Sequence, residues 1–526
     1  MHEVEIVLVL LGLVAALTVT ARRVGIPYPI VMTIGGLLLG LVPGLPRVEL
    51  PPDIVFLVFL PPILFSAAFF TSPRDLRANA RPIALLAIGL ILATTLVVGL
   101  VVHWLVPDIG WAPAFALGAI VSPPDAVAAT SIAQRLGLPR RIVTILEGES
   151  LVNDATALVA LRLTIVAATT GVFSLAEAAG SFVLVSVGGL VIGLAVGWLL
   201  IQVESRLNDP PVEVLVSLLG PFAAWIPAES LHVSGVLSVV VAGLMLGRAA
   251  PRVMSSDTRV LGSGVWQMAI FVTNGLVFIL IGLQLPTILD SLSAARSPLE
   301  LAVLGVAVSL AVIGARMAWV FPGTYLPRWL IPAIRRRDPP PSPRAVLIIG
   351  WAGMRGVVSL AAALTVPFAL EDGTPFPGRD LLLFLTFCVI LATLVGQGLT
   401  LPWLIRRLGV GDDGSTEHDE VHAREAAVEA AMGRLESLAG EWPGHMELID
   451  QLKARYEHEA EHLEHDHESD EVPHDQEWVE HSAIRRAVID AQRVAVIDMR
   501  DRGVIGDEAL RRVERDLDLE ELRGEG

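Results

Sequence analysis

The sequence is poor in what holds soluble and secreted proteins together. Cys388 is its only cysteine in 526 residues and lies in an apolar run. That excludes a disulfide framework, a cysteine-based metal site and thiol redox chemistry. Charged residues make up only 18% of the chain against 53% hydrophobic, and mean hydropathy is +0.63. Length alone would suggest several soluble domains, but this composition excludes them. Nothing basic is clustered in the manner of a nucleic-acid binder. Positive charge is also missing ahead of the first apolar run, "MHEVEIVLVLLGLVAALTVTARR": Glu3 and Glu5 precede it, and Arg22 and Arg23 follow it. A cleavable signal has the reverse order, so this helix is expected to be retained with its N-terminus outside.

What is present in quantity is apolar run. Repeated stretches of 18 or more residues mark a polytopic helical membrane protein. Thirteen spans are expected, at 4–21, 28–45, 54–71, 82–106, 112–134, 141–168, 179–203, 212–228, 232–248, 264–288, 299–322, 344–370 and 380–405. The formal charge of −17 belongs to the remainder: from Asp412 onward 33 acidic residues face 13 basic ones, leaving about +3 for the first 411. The division is therefore a transmembrane domain, 1–407, and an acidic, helix-compatible tail, 408–526. Loops on one side of the spans carry nineteen arginines, while the opposite loops carry Arg47, Arg296 and Arg379. By the positive-inside rule the tail is cytoplasmic and Met1 external.

Two spans are interrupted. The fifth contains "IVSPPDAVAAT", where Pro123 and Pro124 remove backbone donors just before Asp125. The twelfth contains "GWAGMRGVVS", with Gly350, Gly353 and Gly356 around Arg355. Broken helices in corresponding positions of two halves point to an inverted-repeat transporter with its site near the midplane, the repeats being spans 1 to 6 and 8 to 13. Proline and glycine also serve plain helix packing in membranes, but here each break carries a charge.

The sixth span holds "EGESLVNDATAL", with Glu147, Glu149, Asn153 and Asp154. A carboxylate at a span centre costs roughly 2.5 to 3.5 kcal/mol on insertion scales, so it normally faces a bundle interior or a water-filled cavity. On a helix, Glu149 and Asn153 stack on one face, and Ser150 and Asp154 on the next. With Asp125 they offer carboxylate, amide and hydroxyl oxygens, a donor set for a hard cation, with no nearby His or Cys to favour zinc or copper. Burial favours the protonated form of a carboxylate and a bound cation the ionised form, so one group can carry either ligand in turn, which is the chemistry of an antiporter. Arg316, Arg162 and Arg355 also lie within spans and are expected to turn away from lipid. Arg355 would offset the carbonyl ends of half-helices. A Glu149 to Arg316 pair would leave Asp154 free to titrate; it fits a purely architectural role equally well.

These segments resemble a known family. "SPPDAVAATSIAQRLGLPRRIVTILEGESLVNDATALVALR" is similar to the fifth and sixth helices, and "GWAGMRGVVSLAAAL" to the twelfth helix, of the sodium/proton exchangers of the monovalent cation:proton antiporter family, branch one. "FLPPILFSAAFF" resembles their third helix, and "VIDMRDRGVIGDEALRRVERDLDLEEL" the tails of bacterial members. The resemblance implies a homodimer in the inner membrane of a bacterium, and electroneutral exchange of one Na⁺ or Li⁺ for one proton by alternating access. It implies that Asp154 is the essential ion- and proton-binding carboxylate, with Asn153, Ser150 and Asp125 contributing, and that Glu149 pairs with Arg316. Arg355 matches the arginine of the Gly-Arg-Gly segment. Two positions depart from the family. Pro124 replaces a threonine, so only a backbone carbonyl is available to Na⁺ there, and Ser66 replaces an acidic residue of the third helix.

Other readings are weaker. A K⁺/H⁺ antiporter fits the same residues. A cation channel needs rings of ligands around an axis, whereas these lie on two broken helices. "GVGD" at 409–412 resembles an intramembrane aspartyl protease motif, but it follows the last span and has no Tyr-Asp partner, so no enzyme and no cofactor is expected. In the tail, His458, His462 and His465 share a helical face beside His467; a solvated acidic helix is expected there rather than a metal or proton sensor.

Overall fold

The computed structural model describes residues 2–42, 55–170, 175–285, 296–370, 374–411, 414–465 and 474–502, with single positions at 288, 292, 504, 509, 510, 513, 514 and 517. Arg47, Asp412 and the side chains of His458, His462, His465 and His467 lie outside the described residues. In chain order the helices are α1 (His2–Val24), α2 (Tyr28–Gly40), α3 (Val55–Phe70), α4 (Pro73–Ala78), α5 (Ala80–Leu105), α6 (Trp111–Val121), α7 (Ala126–Arg135) and α8 (Arg140–Thr170). They continue with α9 (Leu175–Glu204), α10 (Pro210–Ser230), α11 (Gly235–Val253), α12 (Ser256–Leu283), α13 (Pro298–Leu330) and α14 (Pro332–Arg337). Then come α15 (Pro343–Trp351), α16 (Val357–Leu364) and α17 (Arg379–Leu408). Among the described residues nine of these helices are long and apolar enough to cross a membrane, and α2, α3 and α6 are shorter apolar helices.

The apolar runs and the helices coincide, because a backbone in hydrocarbon must satisfy its polar groups within its own segment. The expected fifth span is two helices, α6 and α7, and the expected twelfth is α15 and α16. The twelfth also ends sooner than its hydropathy suggests. Helix α16 stops at Leu364, Thr365 turns its hydroxyl back to the Ala362 carbonyl, and Ala369 bridges to Pro375. Pro367 explains the stop, since a residue before proline disfavours helix. Serines at loop ends start several helices: Ser72, Ser234, Ser255, Ser297 and Ser342 each accept a hydrogen bond from a backbone N–H in the first turn.

Two apolar clusters are built from these helices. One draws on α2, α5, α6, α7, α12, α13, α15, α16 and α17, with Val14 of α1 and Val55 of α3, and the other on α3, α9, α10 and α11, with Trp266 of α12. Helix α8 serves both: Ile142, Ile145, Leu146 and Leu161 pack into the first, while Leu151 and Ala155 pack into the second. The carboxylates of α8 therefore lie at a seam between two packed bodies. The outer faces remain apolar. Val183, Leu184, Val187, Val191 and Leu194 of α9 are exposed, as lipid-facing side chains are.

Glycines let helix backbones touch. A Cβ on Gly36 would sit 2.2 Å from the Ile279 carbonyl oxygen, and one on Gly282 would sit 2.3 Å from that of Thr33, so α2 and α12 lock through reciprocal glycines. Gly247 does the same against Phe69, at 2.1 Å. Close approach through small residues is how helices associate in lipid, where burial of apolar surface offers little drive.

The tail forms a second compact unit, Thr416–Gly526, in which α18 (Ser415–Glu441), α19 (Met446–His465) and α20 (His474–Asp501) are helical. Most of the described residues of the tail are helical.

Gly282→Val should force α2 and α12 apart. Overpacking of this kind costs about 1–3 kcal/mol, and it should appear as a lower melting temperature of the purified protein, with Gly12→Val, where nothing lies within 4 Å of the added carbon, as the neutral control.

Candidate ion-binding site at two crossing helix breaks

The break between α6 and α7 and the break between α15 and α16 touch each other. The Asp125 N–H donates to the Met354 carbonyl at 2.7 Å, and Arg355 Nε donates to the Val121 carbonyl at 3.1 Å. The Arg355 N–H donates to Thr393 Oγ1 at 3.0 Å, which ties the second break to α17, and its guanidinium also meets the Gly353 carbonyl. Charges are distributed accordingly. Arg355 sits at the carbonyl ends of α6 and α15. Asp125 caps the start of α7, with Oδ1 accepting from the Val127 N–H at 2.9 Å, and its Oδ2 lies against Gly356, the residue that precedes α16. Each charge thus faces the complementary ends of two half-helices. Gly356 is required for space: a Cβ there would lie 1.8 Å from Asp125 Oδ2.

A second charge node stands behind the first. Arg316 of α13 donates to both carboxylate oxygens of Glu149, at 2.5 and 2.8 Å, and both side chains are 1% exposed. Its Nε and Nη2 also donate to the carbonyls of Ile349 and Gly350, at 3.0 to 3.3 Å. Those carbonyls lost their helical partners when α15 broke. One guanidinium therefore neutralises a buried carboxylate and closes a helix end, a bidentate arrangement that a lysine could not make.

Between the two apolar clusters is a cavity of about 410 Å³, with Asp125, Asp154, Ser150, Pro124 and Ser359 in its wall. It extends past Glu147 to Thr71 and Gln134, at the helix ends that carry the arginine-rich loops. Asp154 is 2% exposed and shares the cavity wall with Asp125; among the described residues nothing donates a hydrogen bond to it. The Ser359 hydroxyl likewise has no hydrogen-bond partner. The donor set is carboxylate, hydroxyl and carbonyl oxygen, suited to a hard cation. Among the described residues there is no group of three or more His, Cys, Asp or Glu of the kind that holds a transition metal.

Asp154, Asp125, Ser150 and Pro124 are brought together in the wall of this cavity. Asn153 is not in its wall. It is fully buried, and its Nδ2 donates to the Pro124 carbonyl at 3.1 Å, so its visible role is to hold the first break against α8. Arg162 also differs from expectation: its side chain keeps 49% exposure, and its partner is Glu229 of α10, at 3.1 Å. Sequence reading missed Ser359, Tyr28 and Asn274, which line the same cavity. Asn274, which is buried, had a usable signal as a lone amide in the run "FVTNGLVFIL". Ser359, one helical turn beyond Gly356, did not stand out among neighbouring small residues.

Comparison with known proteins bears on this geometry. Residues 7–407 match the family described as "Sodium/hydrogen exchanger, transmembrane". Over 526 residues the chain is 36% identical to an uncharacterized Na⁺/H⁺ exchanger of Mycobacterium tuberculosis, covering 98% of this chain and 95% of that one. It is 37% identical over 412 residues to the sodium, potassium, lithium and rubidium/H⁺ antiporter of Bacillus subtilis, covering 76% and 61% respectively. Its fold is similar to that of the sodium proton antiporter of Methanocaldococcus jannaschii, with a TM-score of 0.62 at 19% identity over 78% of this chain and 99% of that one.

Removing one member of a buried ion pair costs about 3–5 kcal/mol, because the other is left unpaired. Glu149→Gln and Arg316→Gln should each lower thermal stability markedly, and the double variant should recover part of the loss. Additive losses in that double-mutant cycle would contradict energetic coupling.

Proposed function

The chain belongs to the sodium/hydrogen exchanger family, and on that premise we propose that it exchanges Na⁺ or Li⁺ for H⁺ across the membrane by alternating access. Asp154 carries both ligands. The observation that supports this most is its carboxylate, buried at the cavity wall beside Asp125 and without a hydrogen-bond donor among the described residues. Such a group is stable only when something compensates its charge, and a proton and an alkali cation each do so. One proton excludes one cation, so exchange of one for one is electroneutral. Ser150, Asp125 and the Pro124 carbonyl complete the coordination with Asp154, and Asn153 fixes that carbonyl in place. Potassium is the competing substrate, in keeping with the breadth of cations in the name of the Bacillus subtilis relative.

The movement we propose is of one packed body against the other along the seam at α8, within a bundle of thirteen spans in two inverted repeats that forms a homodimer. The tail is cytoplasmic by the arginine bias, so the cavity reaches the cytoplasmic side. On the opposite side the Arg162 to Glu229 pair joins α8 to α10. A channel is disfavoured, since the cavity wall includes no residue from those opposite helix ends.

Asp154→Asn should insert and fold but lose cation-dependent proton movement in proteoliposomes with an imposed pH gradient; persistent exchange would move the chemistry elsewhere, first to Asp125. In the unaltered protein, protonation competes with the cation. Apparent cation affinity should therefore be constant at high pH and weaken about tenfold per unit fall in pH below the site's effective pKa. A cation affinity independent of pH would contradict a shared carboxylate. Reporter fusions at the C-terminus should report a cytoplasmic location, and an external one would reverse the assignment of the cavity's side.

A further inference from the structure

A second cavity, of about 210 Å³, lies away from the ion site, among α5, α8, α13 and α15 where these helices reach the arginine-rich side. Its rim carries Arg81, Arg141 and Arg328, and its interior is apolar, with Leu86, Ile145 and Val346 in the wall. One carboxylate serves all three guanidinium groups: Asp338 accepts from Arg141 at 2.6 Å, from Arg328 at 2.6 Å and from Arg81 at 3.4 Å. The remaining donors of Arg328 are taken up by the Thr324 and Asp338 carbonyls. Those of Arg81 and Arg141 are not: among the described residues Arg141 reaches only Asn79 beyond Asp338, and these two side chains keep 28% and 43% exposure. Asp75, the acidic residue of the adjoining α4, is bonded to Arg140 at 2.7 Å. The cluster is thus left with an excess of two positive charges at the mouth of an apolar pocket, at the level where spans leave the membrane.

That combination has a specific complement. A free phosphate would use the arginines and leave the apolar interior empty; a neutral lipid would use the interior and leave the charge uncompensated. We propose that this cavity binds an anionic phospholipid of the leaflet on that side, with the phosphate on Arg81 and Arg141 and acyl carbon in the interior. The site adjoins the ion-pair node. Ile349 lines the cavity, and its carbonyl accepts from Arg316. An occupied cavity braces α15 against α8 and α13, the helices that hold Glu149 and Arg316.

The test measures binding through thermal stability and does not depend on transport. Purified full-length protein in detergent is melted with added phosphatidylglycerol, with phosphatidylcholine, or with glycerophosphate. Phosphatidylglycerol should raise the melting temperature by about 3 °C or more over phosphatidylcholine, and glycerophosphate should not. The difference should disappear in Arg81→Gln with Arg141→Gln. It should also disappear in Gly323→Leu, which fills the cavity without altering a charge; a Cβ at Gly323 meets nothing nearer than Trp319 Nε1 at 3.6 Å, so the site tolerates the branch point. Arg206→Gln, an exposed arginine outside the cavity, should keep the full difference. An undiminished difference in Gly323→Leu overturns the proposal, and that variant decides alone if the double arginine variant does not fold. A shift reproduced by glycerophosphate overturns it in favour of a free-phosphate site.

Discussion

Two helices broken inside a bilayer create the constraint on which the rest of this protein depends. Each break frees N–H and C=O groups in a region where water is scarce, and each unsatisfied group there costs several kcal/mol. The chain resolves this by crossing the two breaks and placing one charge of each sign at the crossing. Arg355 covers carbonyl ends and Asp125 covers N–H ends. Arg316 then covers the last carbonyls of α15, and Glu149 balances Arg316. Four ionisable side chains are therefore committed to holding an open backbone geometry.

Asp154 is the carboxylate left over from that arrangement. It has the burial of Glu149 without an arginine, and it lies beside a second acid. Glu149 is neutralised by Arg316, whereas Asp154 stands at the cavity wall with no arginine bound to it among the described residues. The glycines serve the same end: Gly356 allows Asp125 to reach the crossing, and Gly353 leaves room for the Arg316 side chain, which an added Cβ would meet at 2.3 Å.

The seam gives this site its mechanical setting. Because α8 packs into both apolar clusters, the residues that alternate along it face different bodies. In the movement proposed above, Glu149, Arg316 and Arg355 would travel together, because the ion pair ties α8 to α13 and Arg355 is bonded to the end of α6.

Hydropathy and charge by themselves determined much of this protein. Apolar runs located the helices because lipid leaves the backbone no alternative, and the Pro123–Pro124 pair and the glycines around Arg355 located the breaks because the prolines remove two adjacent backbone donors and the glycines weaken the helix where a charge also sits. The excess of arginine on one set of loops, and the chemistry of Asp125, Ser150 and Asp154, were likewise legible, since each is a property of residue type and helical spacing. Only the tertiary structure decided which polar groups meet. Asn153 and Asp154 are neighbours in sequence, yet the 100° turn between them sends one to a proline carbonyl and the other to the cavity. Ser359 reaches the same cavity from 205 positions further along the chain than Asp154. The seam through α8 and the arginine-rimmed pocket around Asp338 are also products of helix packing, and a linear pattern carries no record of which helices will be neighbours.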